Sequence, residues 1–308
     1  MADTQYSTFS LALLHPKYWF AWFMLSVAYG ISWLPIRVRH IIGKGVGFVT
    51  FLVNRKRRII VNTNLELCFP EFDEAQRKES VKEHFSWYGR ALIEYSFLFF
   101  ASKKRLYKQV IFEGKEHIDN ALKENKNIMI LLGHSVFLEF ATITICRVYK
   151  VYGSYKPLSN PVINWILARS REKHMLFTIA REEGLMRLVR ELKDEQMLGF
   201  LPDEDHGKKY SDFAPFFGVQ KATLNTPTRI AKLANAVRLP TLTFFDEELG
   251  KYKVIVGQAI DCDTKRPNEE HAKAMNLSYE KMIRQYPMQY MWLLRLFKTQ
   301  PDSAEKRY

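Results

Sequence analysis

The stretch IMILLGHSVFLEFATITIC, residues 128–146, decides how the rest of the sequence is read. Its first five residues form an unbroken apolar run that ends at Gly133 and reads as a buried strand, while FLEFATITIC reads as the helix that follows. His134 and Ser135 then occupy the connection from strand to helix. His134 and Glu139 stand five positions apart, which inside one regular helix would point them about 140° from each other. From a loop, however, the imidazole can fold back over the first helical turn toward Glu139. A carboxylate in hydrogen-bond reach keeps one imidazole nitrogen protonated and leaves the other free to take a proton. The alternative is structural: His134 caps the helix and Glu139 meets a buried arginine. Spacing alone does not separate the two.

Outward from this unit the chain alternates. Short β-rich runs recur at 109–113, 151–155, 175–179, 197–201, 240–246 and 253–258, with helical stretches at 117–125, 137–148, 161–173, 182–193 and 222–236. A long helix is expected over 71–100, where Phe85, Leu92, Tyr95 and Phe99 recur at helical spacing. Strands separated by helices of this length predict an α/β fold, a mixed, largely parallel sheet flanked by helices. Ligands of such sheets bind where strands run into loops at their carboxyl ends, which is where His134 falls.

The N-terminus reads differently. YWFAWFMLSVAYGISWL, residues 18–34, is apolar and aromatic over 17 residues, the short end of what spans a bilayer. The formal charge is +13, of which +7 lies in the first 65 residues and mostly after the apolar run. That bias predicts a single-pass membrane helix with the body of the protein on the cytoplasmic side; a helix lying flat in the interface is the alternative. The run is too long for a signal peptide and no A-x-A-like site follows it. The expected organisation is an anchor over 1–36 and an α/β domain over 37–308. Three scattered cysteines, Cys68, Cys146 and Cys262, argue against a disulfide framework or a zinc site.

Chemistry concentrates in two places. GHSVF has Phe137 where a G-x-S-x-G elbow needs glycine, so Ser135 is not read as a nucleophile, and no H-E-x-x-H pattern suggests a metal. LPDEDHGKKYSDFAPFFG, following a strand, crowds Asp203, Glu204, Asp205 and His206 before Gly207. Adjacent carboxylates need cations or N–H donors, which marks either a polar site or an acidic surface turn. The neighbouring Phe213, Phe216 and Phe217 suit a greasy substrate or, more commonly, a core.

NTNLELCFPE, H-x4-E after a strand, PDEDHG, FFG with KAT, and QYMWLLRLFK, in this order along most of the chain, resemble the late acyltransferases of lipid A biosynthesis, the lauroyl and myristoyl transferases of the lysophospholipid-acyltransferase-like group. The resemblance implies a glycerol-phosphate-acyltransferase-like fold in a bacterial inner-membrane enzyme. It also implies a lipid A precursor as acceptor and acyl carrier protein as acyl donor, with no cofactor and no metal. It makes His134 the general base and Glu139 its partner. Arg171, after the NPV at 160–162, becomes a substrate-contacting or charge-stabilising residue, and Asp203, Asp205 and Gly207 match the PDxDxG block. Glu204 departs from the glutamine more often found there. Basic surface such as Arg55 to Arg58 would attract acidic substrates or simply be solvated; no nucleic-acid motif accompanies it. Two other functions stay open: acylation of another membrane lipid such as a lysophospholipid, and a membrane-tethered binding protein without catalysis.

Overall fold

A computed structural model describes residues 7–301 and 306–308, apart from 156, 181–183, 194, 261, 262 and 264. Four helices come first: α1 (Trp19–Ser32), α2 (Ile36–Val53), α3 (Arg55–Cys68) and α4 (Glu74–Phe100), followed by the short α5 (Lys103–Lys108). Asp73 starts α4, accepting from the Gln76 N–H while the Gln76 side chain accepts from the Asp73 N–H. The alternation then runs β1 (Val110–Glu113), α6 (Lys115–Lys123), β2 (Asn127–Leu132), α7 (Glu139–Ile145), β3 (Lys150–Tyr155), α8 (Pro161–Glu172), β4 (Phe177–Ala180), α9 (Leu185–Arg190) and β5 (Gln196–Phe200). It closes with β6 (Ser211–Phe216), β7 (Val219–Leu224), α10 (Thr226–Ala234), β8 (Ala236–Asp246), β9 (Lys251–Val256) and α11 (Asn268–Ile283).

The seven-stranded sheet has the order β1-β9-β8-β2-β5-β3-β4. Strands β8, β2, β5, β3 and β4 are mutually parallel; β9 turns back antiparallel on β8 and carries β1 parallel to itself. The sheet is thus mixed and largely parallel, as expected. Strand β2 is buried on both faces, which explains its unbroken apolar run. Met129 and Leu131 face a core shared with α4, α11 and the aromatic C-terminal segment, whereas Ile128, Ile130 and Leu132 pack against residues of α6 and α7.

Two expectations are corrected. The helix expected at 222–236 begins only at Thr226, because 219–224 pairs with 211–216 as a hairpin of its own. Its two-residue turn, Phe217–Gly218, has both residues at positive φ, 51° and 80°, the conformation that matches strand twist in tight hairpins. Phe216 and Phe217 are core residues there. Second, no helix among the described residues is long and apolar enough to cross a membrane. The apolar run at 18–34 forms α1, only 14 residues, or about 21 Å against a hydrocarbon core of about 30 Å. Pro35 is the physical reason. It disfavours helical backbone at Leu34 and opens α2 instead, and it carries no N–H for a continuing ladder. Helix α1 packs against α4 and leaves Trp19, Phe20 and Phe23 exposed, as is Trp33 just after it; α2 leaves Ile41, Phe48, Val49 and Leu52 exposed.

Helix α2 reaches α4 through glycines. A Cβ on Gly89 would lie 2.2 Å from the Gly47 nitrogen and 2.3 Å from the Gly43 carbonyl oxygen, and one on Gly47 would meet the Phe85 carbonyl at 2.3 Å. The GKGVG of α2 is therefore a small-x3-small stripe that lets two backbones touch. Since backbone is what would have to move, Gly89→Ala is expected to cost at least the ~1–3 kcal/mol of ordinary overpacking and to lower Tm by several degrees in thermal unfolding. An unchanged Tm would mean the helix pair is not tightly held.

Candidate active site

Neighbouring parallel strands bring their carboxyl ends together, and here β2 delivers His134 while β5 delivers Asp203. The connection 134–138 is irregular, and α7 starts with Glu139 itself. His134 donates its backbone N–H to Asp203 Oδ2 at 2.7 Å, and its Nδ1 lies 2.5 Å from Asp203 Oδ1. Tyr290 donates its hydroxyl to Asp203 Oδ2 at 2.8 Å. Asp203 is almost completely buried, at 3% exposure.

These contacts fix the protonation pattern. Burial alone would raise the Asp203 pKa, but His134, through its charge and both hydrogen bonds, together with Tyr290, brings it down to about 2. An ionised carboxylate can only accept, so Nδ1 carries the proton and Nε2 is left as the basic nitrogen. Burial by itself lowers the His134 pKa; the charge and hydrogen bond of Asp203, with Glu204, outweigh it, and the net displacement is upward from 6.5. Glu204 stands at the other nitrogen, its Oε1 3.6 Å from Nε2, and its Oε2 is 3.5 Å from His206 Nε2.

Glu139 is elsewhere. No hydrogen bond joins it to His134, which corrects the expected dyad: the carboxylate accepts from Arg171 Nη2 and, at 3.3 Å, from Arg171 Nε. The reason is direction. Glu139 opens α7 and faces the end of α8, where Arg171 projects, whereas the imidazole turns across the strand ends toward β5. The pair borders a mainly apolar cavity, open to solvent, between β2, β5, β3 and α7; Leu132, Ile145, Val151 and Gly199 are among its walls. The Glu139 charge raises the Arg171 pKa, so the guanidinium stays charged.

The remaining expected residues are close by, with different partners. Asp205 accepts from the Gly207 N–H at 3.0 Å and from the Thr299 N–H and hydroxyl at 2.6 and 2.7 Å, fastening the loop to the C-terminal segment. Gly207 has φ 90° and ψ 165°, a region essentially reserved for glycine. The Ser135 hydroxyl is buried and accepts from the Thr243 N–H at 3.3 Å, in keeping with a structural serine.

Sequence reasoning missed Tyr290. Its signal lay in QYMWLLRLFK, an apolar and aromatic run in which nothing local marks a partner for the tyrosine hydroxyl. The backbone of this segment is fastened on both sides: Met291 N–H donates to the His134 carbonyl at 2.8 Å, and Val136 N–H to the Gln289 carbonyl at 2.9 Å. Asn64, from NTNLELCFPE, is fully buried and donates to the carbonyls of Trp292 and Leu294 at 2.7 and 2.8 Å. Motifs more than 200 residues apart therefore converge behind one imidazole.

Comparison with known proteins gives this arrangement its context. The family described as bacterial lipid A biosynthesis acyltransferase matches residues 6–299. The chain is 31% identical over 307 residues to the lipid A biosynthesis lauroyltransferase of Escherichia coli, covering 99% of this chain and 100% of that one. It is 31% identical over 303 residues to the palmitoleoyltransferase of the same organism, covering 97% and 98%, and 30% identical over 298 residues to a lipid A biosynthesis acyltransferase of Haemophilus influenzae, covering 96% and 93%. With matches that run almost end to end, the chain belongs to the bacterial lipid A biosynthesis acyltransferase family and is an acyltransferase.

Proposed function

We propose that this acyltransferase moves a fatty acyl chain from acyl carrier protein to a hydroxyl of a lipid A precursor, with His134 as general base and Asp203 as the carboxylate that orients it. The observation that carries this is the buried, ionised Asp203 holding Nδ1 and leaving Nε2 as base at the strand ends. Nε2 takes the hydroxyl proton as the oxygen attacks the thioester carbonyl carbon; the carbon–sulfur bond then breaks and the imidazolium returns its proton to the departing thiolate. Asp203 stabilises the imidazolium between these steps, and no covalent acyl-enzyme is required. Arg171, held by Glu139, supplies positive charge toward the carbonyl oxygen as it becomes anionic. The apolar cavity beside that pair suits the acyl chain.

A bilayer surface supplies the setting. The exposed aromatic and aliphatic side chains of α1 and α2 form an apolar face that water does not favour. Lying flat in the interface buries them without a spanning helix, and it keeps the strand ends within reach of a lipid acceptor. The inner membrane, cytoplasmic face, is the location this reading assigns. Lipid A mass spectrometry of wild type against a deletion strain tests the acceptor: loss of one acyl chain from lipid A supports it, whereas a change confined to phospholipids would transfer the activity to a lysophospholipid acceptor.

Three outcomes follow from the geometry. Asp203→Asn is expected to lower kcat by about 10²- to 10⁴-fold in a transfer assay. Glu139→Gln, by contrast, should first cost stability by leaving the half-buried Arg171 unpaired, about 1–3 kcal/mol by chemical denaturation, with stability but not activity recovered on adding Arg171→Met. Equal and purely kinetic losses in the two single variants would restore Glu139 as the partner of His134.

The pH profile has a defined sign. Transfer needs neutral His134, so the rate is lost as pH falls through its pKa. Glu204 raises that pKa, and Glu204→Gln should therefore move the acid limb of kcat/KM to lower pH; movement to higher pH would remove His134 from the base role. Chain length has its own test. A Cβ on Gly199 meets Leu132, Tyr152 and Val151 atoms at an ordinary 3.5 Å, so Gly199→Ala should fold normally and shift donor preference to shorter acyl chains; an unchanged preference would exclude this cavity as the acyl site.

A further inference from the structure

A second cavity, about 840 Å3 including space open to solvent, lies between α2, the middle of α4 and the turn joining β8 to β9. Its cationic walls are Arg37 and Lys44 on α2 and Arg90 on α4; His40 stands between them, and Glu247 and Glu248 come from the turn. The Arg90 guanidinium is buried and stacks 3.9 Å from the Trp87 ring. One of its nitrogens donates to Glu247 Oε1 at 2.7 Å, and its Nε is buried with no partner. Buried guanidinium donors are normally satisfied, and among the described residues the carboxylate that pairs with Arg90 belongs to Glu247, whose side chain is 63% exposed on a surface turn. Glu247 is thus placed as a removable occupant of a site shaped for an anion. His40 contributes no charge: burial and the neighbouring Arg90, Arg39 and Lys44 depress its pKa to about 3. Arg39 is already committed to the buried Glu94, at 2.8 and 3.0 Å.

The position of the cavity points to the ligand. Arg37, Ile41, Lys44 and Phe48 follow one another at i, i+4, i+7 and i+11, so a single stripe of α2 carries both the cations and the exposed apolar side chains. A group bound there sits at the edge of the apolar face, where headgroup meets acyl region. We propose that this cavity binds the phosphate of an anionic bilayer phospholipid, with Arg90, Arg37 and Lys44 as its ligands and the Glu247 carboxylate displaced from Arg90. A planar guanidinium takes two phosphate oxygens at once, and a phosphodiester needs no protonation to do so. The site rests on the membrane-facing reading of α1 and α2 for its orientation, and it would fix the rotation of the protein on the surface so that the strand ends meet the bilayer.

Vesicle sedimentation tests it with the full-length protein. Pure phosphatidylcholine vesicles report apolar docking, and the gain in affinity on adding phosphatidylglycerol reports the site. Arg37→Gln with Lys44→Gln should cut that gain by about tenfold while binding to pure phosphatidylcholine is unchanged. Glu247→Gln should strengthen it severalfold. Lys123→Gln with Lys126→Gln, an equal loss of charge beside the opposite ends of the strands, should leave it intact. An absent gain, a gain untouched by the α2 variants, or a gain lost equally in the distant pair would overturn the site. So would an α2 double variant that raises KM for the lipid acceptor in neutral detergent micelles without altering vesicle binding, since the cavity would then serve the acceptor. Failure of wild type to bind pure phosphatidylcholine would instead count against the apolar docking face.

Discussion

One buried carboxylate organises the candidate active site. Asp203 has little access to water, so its ionised oxygens must be met by donors, and the donors come from distant parts of the chain: the backbone and ring of His134 and the hydroxyl of Tyr290. Its demand for donors fixes which imidazole nitrogen is protonated. The C-terminal segment is in turn held by hydrogen bonds from Asn64 and by Thr299 on Asp205. A helix at the front of the sequence and a coil at its end are thereby drawn onto the carboxyl ends of the central strands.

The second constraint is steric. Strand β2 and its neighbours need cover on both faces, and on one face the cover includes α4, on which α2 rests through Gly43, Gly47 and Gly89. Backbone contact at that crossing leaves the outer stripe of α2 with no protein to pack against. The same helix therefore supplies an apolar face, a basic cavity wall and, through Arg39, a buried ion pair with Glu94. Pro35 closes the N-terminal apolar run, so the candidate span ends as the short α1 and the chain turns into α2 rather than continuing one long helix.

Much of this was legible in order along the chain. The strand at 128–132, its end at Gly133, and the loop position of His134 follow from local pattern, and so does a mixed, largely parallel sheet. The β6–β7 hairpin was not, because Ala222, Thr223 and Leu224 suit a helix as well as a strand and only pairing across Phe217–Gly218 decides between them. Tyr290 was visible only as an aromatic in an apolar run. Its hydroxyl matters because of where α11 and the following turn return the chain.

Sequence alone determined the chemistry available: a histidine at a strand end, carboxylates at another, an arginine on a helix, and an N-terminal surplus of apolar and basic residues. It determined these because apolar periodicity, glycine and proline act within a few residues. Which carboxylate serves which cation was decided by tertiary structure. His134 is five residues from Glu139 and 69 from Asp203, yet the hydrogen bond goes to Asp203, because parallel neighbours β2 and β5 place their ends side by side while the start of α7 aims Glu139 at Arg171. Hydrogen bonds are set by distance and direction in space, and those are properties of the packed sheet.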